Sequence, residues 1–311
     1  MQSTRQGSIH LFRIAGIDLF LHWSWFLVAA YEIQIGRGRY TSLTWNVLEY
    51  LALFLIVLLH EFGHALACRQ VGGTANQIML WPLGGVAYVN PPQRPGATLW
   101  SIAAGPLVNV ALLPLLMGAL RLARSMDVPA VMPNLFTLLS WVLWIDMVLL
   151  LFNMLPIYPL DGGQMLRSLL WFVLGRARSL MVATVLGLVG IAGFIEFAVS
   201  KQSVWYIAIS VFMLMNCWAG LKHARELLVF ARIPRRQGFV CPSCRTAPPL
   251  GPYWTCGQCE QPFDAFETGA ICPRCAARHP MTTCLDCREQ FPMNEWVVDA
   301  YARHSGGLLT R

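Results

Sequence analysis

Six apolar stretches, roughly 17–35, 45–68, 98–120, 135–157, 179–199 and 203–221, dominate this chain. Crossing a ~30 Å hydrocarbon layer takes about 20 helical residues, and each stretch reaches that length. Charge is correspondingly scarce. Only 13% of residues are charged, about half of the ~25% usual in soluble proteins. The deficit is uneven: residues 232–311 hold 16 of the 39 charged groups, leaving 23 for residues 1–231. That distribution argues against a soluble enzyme with one core and against a disordered chain. It predicts an all-α polytopic membrane protein with a small, normally charged appendage. The formal net charge of +7 divides as +5 before residue 232 and +2 after it, so no basic stripe points to nucleic acid.

Loop charges orient the spans. Alternating the loops of six helices gives one face Arg5, Arg13, Arg69, Arg94, Arg167, Arg176, Arg178, Lys222, Arg225, Arg232, Arg235 and Arg236. The other face receives Arg37, Arg39, Arg121, Arg124 and Lys201. Twelve against five makes the first face cytoplasmic by the positive-inside rule, with both termini on that side and the cell (inner) membrane as the expected location. Residues 70–97 fit neither a span nor an ordinary loop. Gly72-Gly73, Trp81-Pro82, Gly84-Gly85 and Pro91-Pro92 punctuate two short runs of β character, Gln77–Leu80 and Val86–Val89. They read as a hairpin or re-entrant element, which at membrane depth must be buried in protein or line a cavity. The expected domains are a membrane domain at 1–225, a basic connector at 226–238, a cysteine-rich module at 239–292 and a tail at 293–311.

Chemistry concentrates at His60-Glu61-Phe62-Gly63-His64, an H-E-x-x-H pattern directly after the apolar run Tyr50–Leu59. On a helix, positions i and i+4 share a face, so both imidazoles can reach one metal with the glutamate beside them. Ionisable groups inside an apolar span are expensive and point to function. The alternative, a polar stripe for helix packing, leaves that expense unexplained. Two histidines leave a catalytic zinc one protein ligand short. Asp161 is the candidate, in Asn153-Met154-Leu155-Pro156-Ile157-Tyr158-Pro159-Leu160-Asp161-Gly162-Gly163, where two prolines break the fourth span and a glycine pair permits a tight turn.

Together these motifs resemble the site-2 protease family of intramembrane zinc metalloproteases, in the bacterial and archaeal branch related to the sporulation-factor processing protease. The resemblance covers about residues 8–220. HEFGH and NMLPIYPLDGG match the family's H-E-x-x-H and N-x-x-P-x-x-P-L-D-G. Ala104-Gly105-Pro106-Leu107-Val108-Asn109 is similar to its G-P-x-x-N, and Pro82-Leu83-Gly84-Gly85 to its membrane-associated β element. The likeness implies zinc held by His60, His64 and Asp161, with Glu61 as the catalytic glutamate. It implies an endopeptidase that cuts membrane-anchored proteins in or near a transmembrane segment and releases a cytosolic product. Asn153 matches the motif asparagine, as a donor to the substrate or as a cap on the broken helix. Asn109 reads as a packing hydrogen bond. Asp146, seven residues before Asn153, departs from relatives that often carry an uncharged amide; a structural role is expected there. Two rival readings are an inactive relative that binds membrane proteins and a zinc transporter or sensor.

The tail carries four Cys-x-x-Cys pairs: Cys241/Cys244, Cys256/Cys259, Cys272/Cys275 and Cys284/Cys287, separated by 11, 12 and 8 residues. This is metal-knuckle spacing rather than a disulfide framework, and it needs reduced thiols. It predicts a cytosolic double zinc ribbon with two structural zincs, paired first with second and third with fourth, interleaving being the alternative. One catalytic zinc brings the expected total to three. The expected partners are a membrane-anchored protein substrate, the lipid bilayer and a cytosolic partner or regulator of the ribbons. His10, His22, His223, His279 and His304 read as bystanders, and Cys68 and Cys217 as small apolar packing residues.

Overall fold

A computed structural model describes residues 7–36, 38–81 and 84–296. The chain divides into two compact units, Met1–Arg225 and Glu226–Arg311. In the first, strands β1 (Ser8–Ile14) and β2 (Ile17–His22) are followed by helices α1 (Trp25–Ile35) and α2 (Leu43–Gln70). Next come β3 (Thr74–Trp81) and β4 (Gly84–Asn90), then α3 (Pro95–Ser125), the single turn α4 (Val128–Val131), α5 (Pro133–Asn153), α6 (Asp161–Ser200) and α7 (Val204–Ala231). Non-helical geometry at Gly175 (φ 76°, ψ 170°) divides α6 into two helical pieces.

Five helices are long and apolar enough to cross a membrane, one fewer than the six apolar stretches. The stretch at 17–35 accounts for the difference. Its first part is β2, entered from β1 through Ala15-Gly16, both at positive φ (51° and 73°), the backbone that a two-residue hairpin turn requires. The remainder is the 11-residue α1. This strand and helix nevertheless advance together along α2. Arg69 donates to the carbonyls of Ala15 and Gly16, while the Tyr50 hydroxyl donates to the Trp25 carbonyl at 3.2 Å. Nineteen helical residues separate Arg69 from Tyr50, about 28 Å at 1.5 Å per residue. From Trp25, α1 continues to the end where α6 and α7 join, with Tyr31 stacked on Trp205 at 5.7 Å. Leu19, Phe20, Leu21 and the apolar residues after them make the segment apolar enough to resemble a helix, but pairing with β1 and β3 makes its first six residues a strand.

The β element is therefore larger than a hairpin. Its order is β1-β2-β3-β4, with β2 parallel to β3 through Asp18↔Gln77 to Leu21↔Leu80 and β3 antiparallel to β4. A parallel pair needs a long crossover, here α1 and α2 together. The sheet and α2 share one core: Ile17, Leu19, Ile78 and Leu80 pack with Val57, Leu58, Ala65 and Cys68. Of the Pro-Leu-Gly-Gly run, Pro82 and Leu83 lie outside the described residues, and Gly84 and Gly85 open β4. Away from this core, large apolar side chains such as Leu115, Leu151, Val173 and Val189 stand exposed, as expected of helices solvated by lipid. The chain is an integral membrane protein. One further charge inside a span is matched locally. Glu49 on α2 pairs with Arg39 and accepts from the Tyr40 hydroxyl, and the Arg39 guanidinium lies 3.7 Å over the Trp141 ring.

In the second unit, two short hairpins, β5/β6 (Trp254–Thr255, Pro262–Phe263) and β7/β8 (Met281–Thr283, Gln290–Pro292), surround the cysteines. Cys241, Trp254, Phe263, Phe266 and Trp296 form its small core. The segment expected as a basic connector is tied into this unit. Arg235 makes a two-pronged contact with Asp286 (2.7 and 3.3 Å), and Arg236 reaches the buried Asp264 at 2.6 Å. Residues of the expected tail join as well: Val240 N–H donates to the Trp296 carbonyl at 2.8 Å, and positions from 297 onward lie outside the described residues.

Candidate active site

The two histidines of H-E-x-x-H occupy successive turns of α2 and aim at one point. His60 Nε2 lies 3.1 Å from His64 Nε2, and Asp161 Oδ2 lies 3.0 Å from the first and 3.4 Å from the second. All three residues are largely withdrawn from solvent, and Glu61 is 6% exposed. Asp161 reaches the cluster because of the sequence before it. Helix α5 ends at Asn153, and Pro156 and Pro159 keep residues 154–160 out of helical register. Leu160 caps α6 so that Asp161 is its first residue, where the helix dipole favours a carboxylate. The turn is too tight for side chains: a Cβ on Gly162 would stand 2.4 Å from the Met154 carbonyl oxygen, and one on Gly163 2.4 Å from the Ile157 carbonyl carbon.

Helix α3 supplies the support. Ser101, Gly105 and Asn109 recur every four residues and so form one stripe, which runs antiparallel to the two histidines. His64 Nδ1 donates to the Ser101 carbonyl at 2.9 Å, and His60 Nδ1 donates to Asn109 Oδ1 at 2.6 Å. Between them, Gly105 passes so close that a Cβ would lie 2.3 Å from His64 Nε2 and 2.7 Å from His60 Nε2. Because both Nδ1 atoms carry the proton, both Nε2 lone pairs face the common point, the tautomer a metal-ligating histidine needs.

Zinc fits this donor set. Tetrahedral ligands at 2.0–2.1 Å stand about 3.3 Å from one another, and the three separations here are 3.0, 3.1 and 3.4 Å. Two nitrogens and one carboxylate with a fourth position open is the composition of a catalytic rather than a structural zinc site. The expected residues His60, Glu61, His64 and Asp161 are thus brought together. Asn153 ends α5, half-buried, and its side chain makes no hydrogen bond among the described residues. Asn109, read from sequence as a packing bond, instead holds a metal-facing histidine. The four-residue spacing of Ser101, Gly105 and Asn109, matching that of His60 and His64, was the available signal.

The eight tail cysteines form two groups, but in a nested order that corrects the expected sequential pairing. Cys241, Cys244, Cys284 and Cys287 make one group, and Cys256, Cys259, Cys272 and Cys275 the other. Sulfur separations of 3.6, 3.7, 3.6 and 3.6 Å match the ~3.8 Å expected between tetrahedral thiolates at 2.3 Å from zinc. Each Cys-x-x-Cys is the same knuckle: the first cysteine's N–H donates to a carbonyl five residues on, and its carbonyl accepts from the residue four on. That last residue is in every case at positive φ (Arg245, Glu260, Ala276, Arg288). The middle pairs are 12 residues apart, the longest of the three separations, so the nested order is set by tertiary packing and not by loop length. The hydrogen bond between Cys284 and Cys244 at 3.7 Å pulls the Cys244 thiol down to about 4 and pushes Cys284 up.

The family model for peptidase family M50 matches residues 49–125 and 114–196, an interval that contains every residue of the His–Asp centre and its α3 support. The chain belongs to peptidase family M50. Its curated relatives include zinc metalloprotease MJ0392 of Methanocaldococcus jannaschii, 31% identical over 208 residues, which make up 66% of this chain and 58% of that protein. Stage IV sporulation protein FB of Bacillus subtilis is 34% identical over 128 residues, 40% of this chain and 41% of that protein. Among solved structures, the site-2 protease from Methanocaldococcus jannaschii superposes with a TM-score of 0.50 at 27% identity, covering 69% of this chain and 95% of that one. The chain therefore spans less than two thirds of the length of these two curated relatives. The family match ends before the four-cysteine groups, which belong to this chain beside its M50 region.

Proposed function

We propose that this M50 member is an intramembrane zinc endopeptidase that hydrolyses a peptide bond in or near a transmembrane segment of a membrane-anchored protein and releases a cytosolic fragment. One observation carries the reading. His60, His64 and Asp161 converge within 3.0–3.4 Å of one another beside the buried Glu61, inside an apolar helix bundle. His60, His64 and Asp161 hold the catalytic zinc, and the two four-cysteine groups hold two structural zincs, three per chain. Bound zinc supplies a water of lowered pKa and polarises the scissile carbonyl. Glu61 takes the proton from the attacking water and passes it to the leaving nitrogen. Asn153, at the end of α5 with its amide unengaged among the described residues, positions the substrate or donates to the developing oxyanion.

The centre lies five to nine residues before Arg69 on α2, about 8–13 Å from that arginine. With the arginine-rich face cytoplasmic, the reaction takes place inside the membrane on its cytoplasmic side. Both termini, and with them the ribbons, stand in the cytosol of a cell whose inner membrane carries the protein. The strand-and-helix crossing by β2 and α1 keeps the parity of six crossings on which that orientation depends. A helical substrate hides its carbonyls in hydrogen bonds and must unwind to be cut. The free edge of β4 is available to hold the unwound segment as an added strand. The ribbons recruit or regulate through a cytosolic partner.

Glu61→Gln tests the reading, since it removes the proton acceptor while leaving the zinc ligands untouched. Cleavage falls by about 10²–10⁴-fold, zinc per chain is unchanged, and uncut membrane proteins accumulate relative to cells with the wild-type chain. Equal profiles of membrane proteins in the two strains overturn the proposal.

A further inference from the structure

Asp146 is completely buried on α5, and the zinc centre reaches it through a single side chain. Asn109 Nδ2 donates to Asp146 Oδ1 at 2.7 Å, and Asn109 Oδ1 accepts from His60 Nδ1 at 2.6 Å. Three helices, α2, α3 and α5, thus contribute one residue each to a continuous chain, His60–Asn109–Asp146. Its direction is decided at the Asp146 end. An amide has one donating end and one accepting end, and either can face a neighbour. An ionised carboxylate only accepts, so it captures the Nδ2 end of Asn109 and leaves Oδ1 for His60. That orientation places the His60 proton on Nδ1 and bares Nε2 toward Asp161 and His64. An amide at position 146 lets Asn109 sit either way round. In the reversed orientation the His60 proton is forced onto Nε2, where the metal has to bind.

Charge points the same way. Asp146 Oδ2 is buried and has no hydrogen-bond partner among the described residues, so among them the carboxylate is held through Oδ1 by the Asn109 amide. Such a group is costly in a membrane helix. A divalent cation held by two neutral histidines and one carboxylate keeps one positive charge, and the hydrogen-bonded chain leads to it. We propose that Asp146 and Asn109 are positioning residues of the metal centre: through the Asn109 amide, the Asp146 carboxylate sets the His60 tautomer and tightens binding of the cation. The proposal rests on reading His60, His64 and Asp161 as zinc ligands.

The experiment measures zinc retention by the full-length chain against graded chelator, the catalytic zinc being the one that a His64→Ala chain lacks. Asp146→Asn keeps the shape and removes the charge, and the affinity of that zinc falls by about 10–100-fold while the four-cysteine zincs are unchanged. The exchange variant Asn109→Asp/Asp146→Asn puts a carboxylate directly on His60 Nδ1 with an amide donating to it from position 146, and restores wild-type affinity. An unchanged affinity in Asp146→Asn overturns the inference. So does an exchange variant that binds no better than Asp146→Asn alone, the result a packing role produces. A wild-type chain that holds no more zinc than His64→Ala overturns the ligand reading itself, which separates that failure from failure of the Asp146 role.

Discussion

Gly105→Ala empties the catalytic centre: zinc per full-length chain falls from three to two, and peptide-bond cleavage is lost. The added methyl carbon would lie 2.3 Å from His64 Nε2 and 2.7 Å from His60 Nε2, inside the space where the ligand atoms meet. Relief by movement of the backbone is blocked on the same contact. Gly63 of α2 is packed so tightly on α3 that its own Cβ would lie 2.7 Å from the Ala104 carbonyl oxygen. The histidines must rotate away, and each then abandons its Nδ1 acceptor as well, Asn109 for His60 and the Ser101 carbonyl for His64. The substitution is otherwise mild, because alanine favours a helix over glycine by roughly 1 kcal/mol. A chain that keeps its helical circular dichroism and its two cysteine-bound zincs, yet lacks the third, is the expected result. Three zincs in Gly105→Ala would mean that α3 does not pass beneath the ligands.

The second large effect concerns the tail, where zinc content reads out the connectivity. In the nested arrangement Cys241 and Cys284 share a site, so changing both to serine removes one zinc and leaves two per chain. Changing Cys241 and Cys256 strikes both sites and leaves only the catalytic zinc. Sequential pairing predicts the reverse result for each pair of substitutions. The effect is large because a domain this small depends on its metal to fold, with structural zinc contributing about 10–16 kcal/mol of apparent binding free energy. Loss of the outer site also unties the segments that hold the unit together. Arg235 is paired with Asp286, one residue before Cys287, and Arg236 with Asp264, which lies between Cys259 and Cys272 in the chain.

The metal chemistry was legible because it depends on local spacing. H-E-x-x-H brings two imidazoles onto one helical face wherever the helix lies, and Cys-x-x-Cys makes a knuckle regardless of its partner. Asp161 was legible because prolines and glycines specify a helix break with a carboxylate at its end. The stretch at 17–35 was misleading for a related reason. Hydropathy reports that a segment is buried in an apolar medium, not whether its backbone hydrogen bonds run within it, as in α1, or to a neighbour, as in β2 with β3. Asn109 and Asp146 were individually conspicuous as polar groups on apolar helices. Their connection to His60 could not be read, since they lie 49 and 86 residues from it along the chain and meet only when α2, α3 and α5 pack.

By itself, then, the sequence determined the medium in which this protein lives, the candidate metal-binding residues with their helical or turn settings, and the presence of four cysteine pairs. These follow from composition and from periods of two to five residues, which survive any tertiary arrangement. Only the tertiary structure decided which cysteine pairs come together, that the first apolar stretch is part strand, and that a glycine and an asparagine of α3 shape the centre from behind. Those are contacts between segments far apart in the chain, set by how closely the helices approach. Ligand identity is written in the residues, whereas ligand orientation depends on what packs against them.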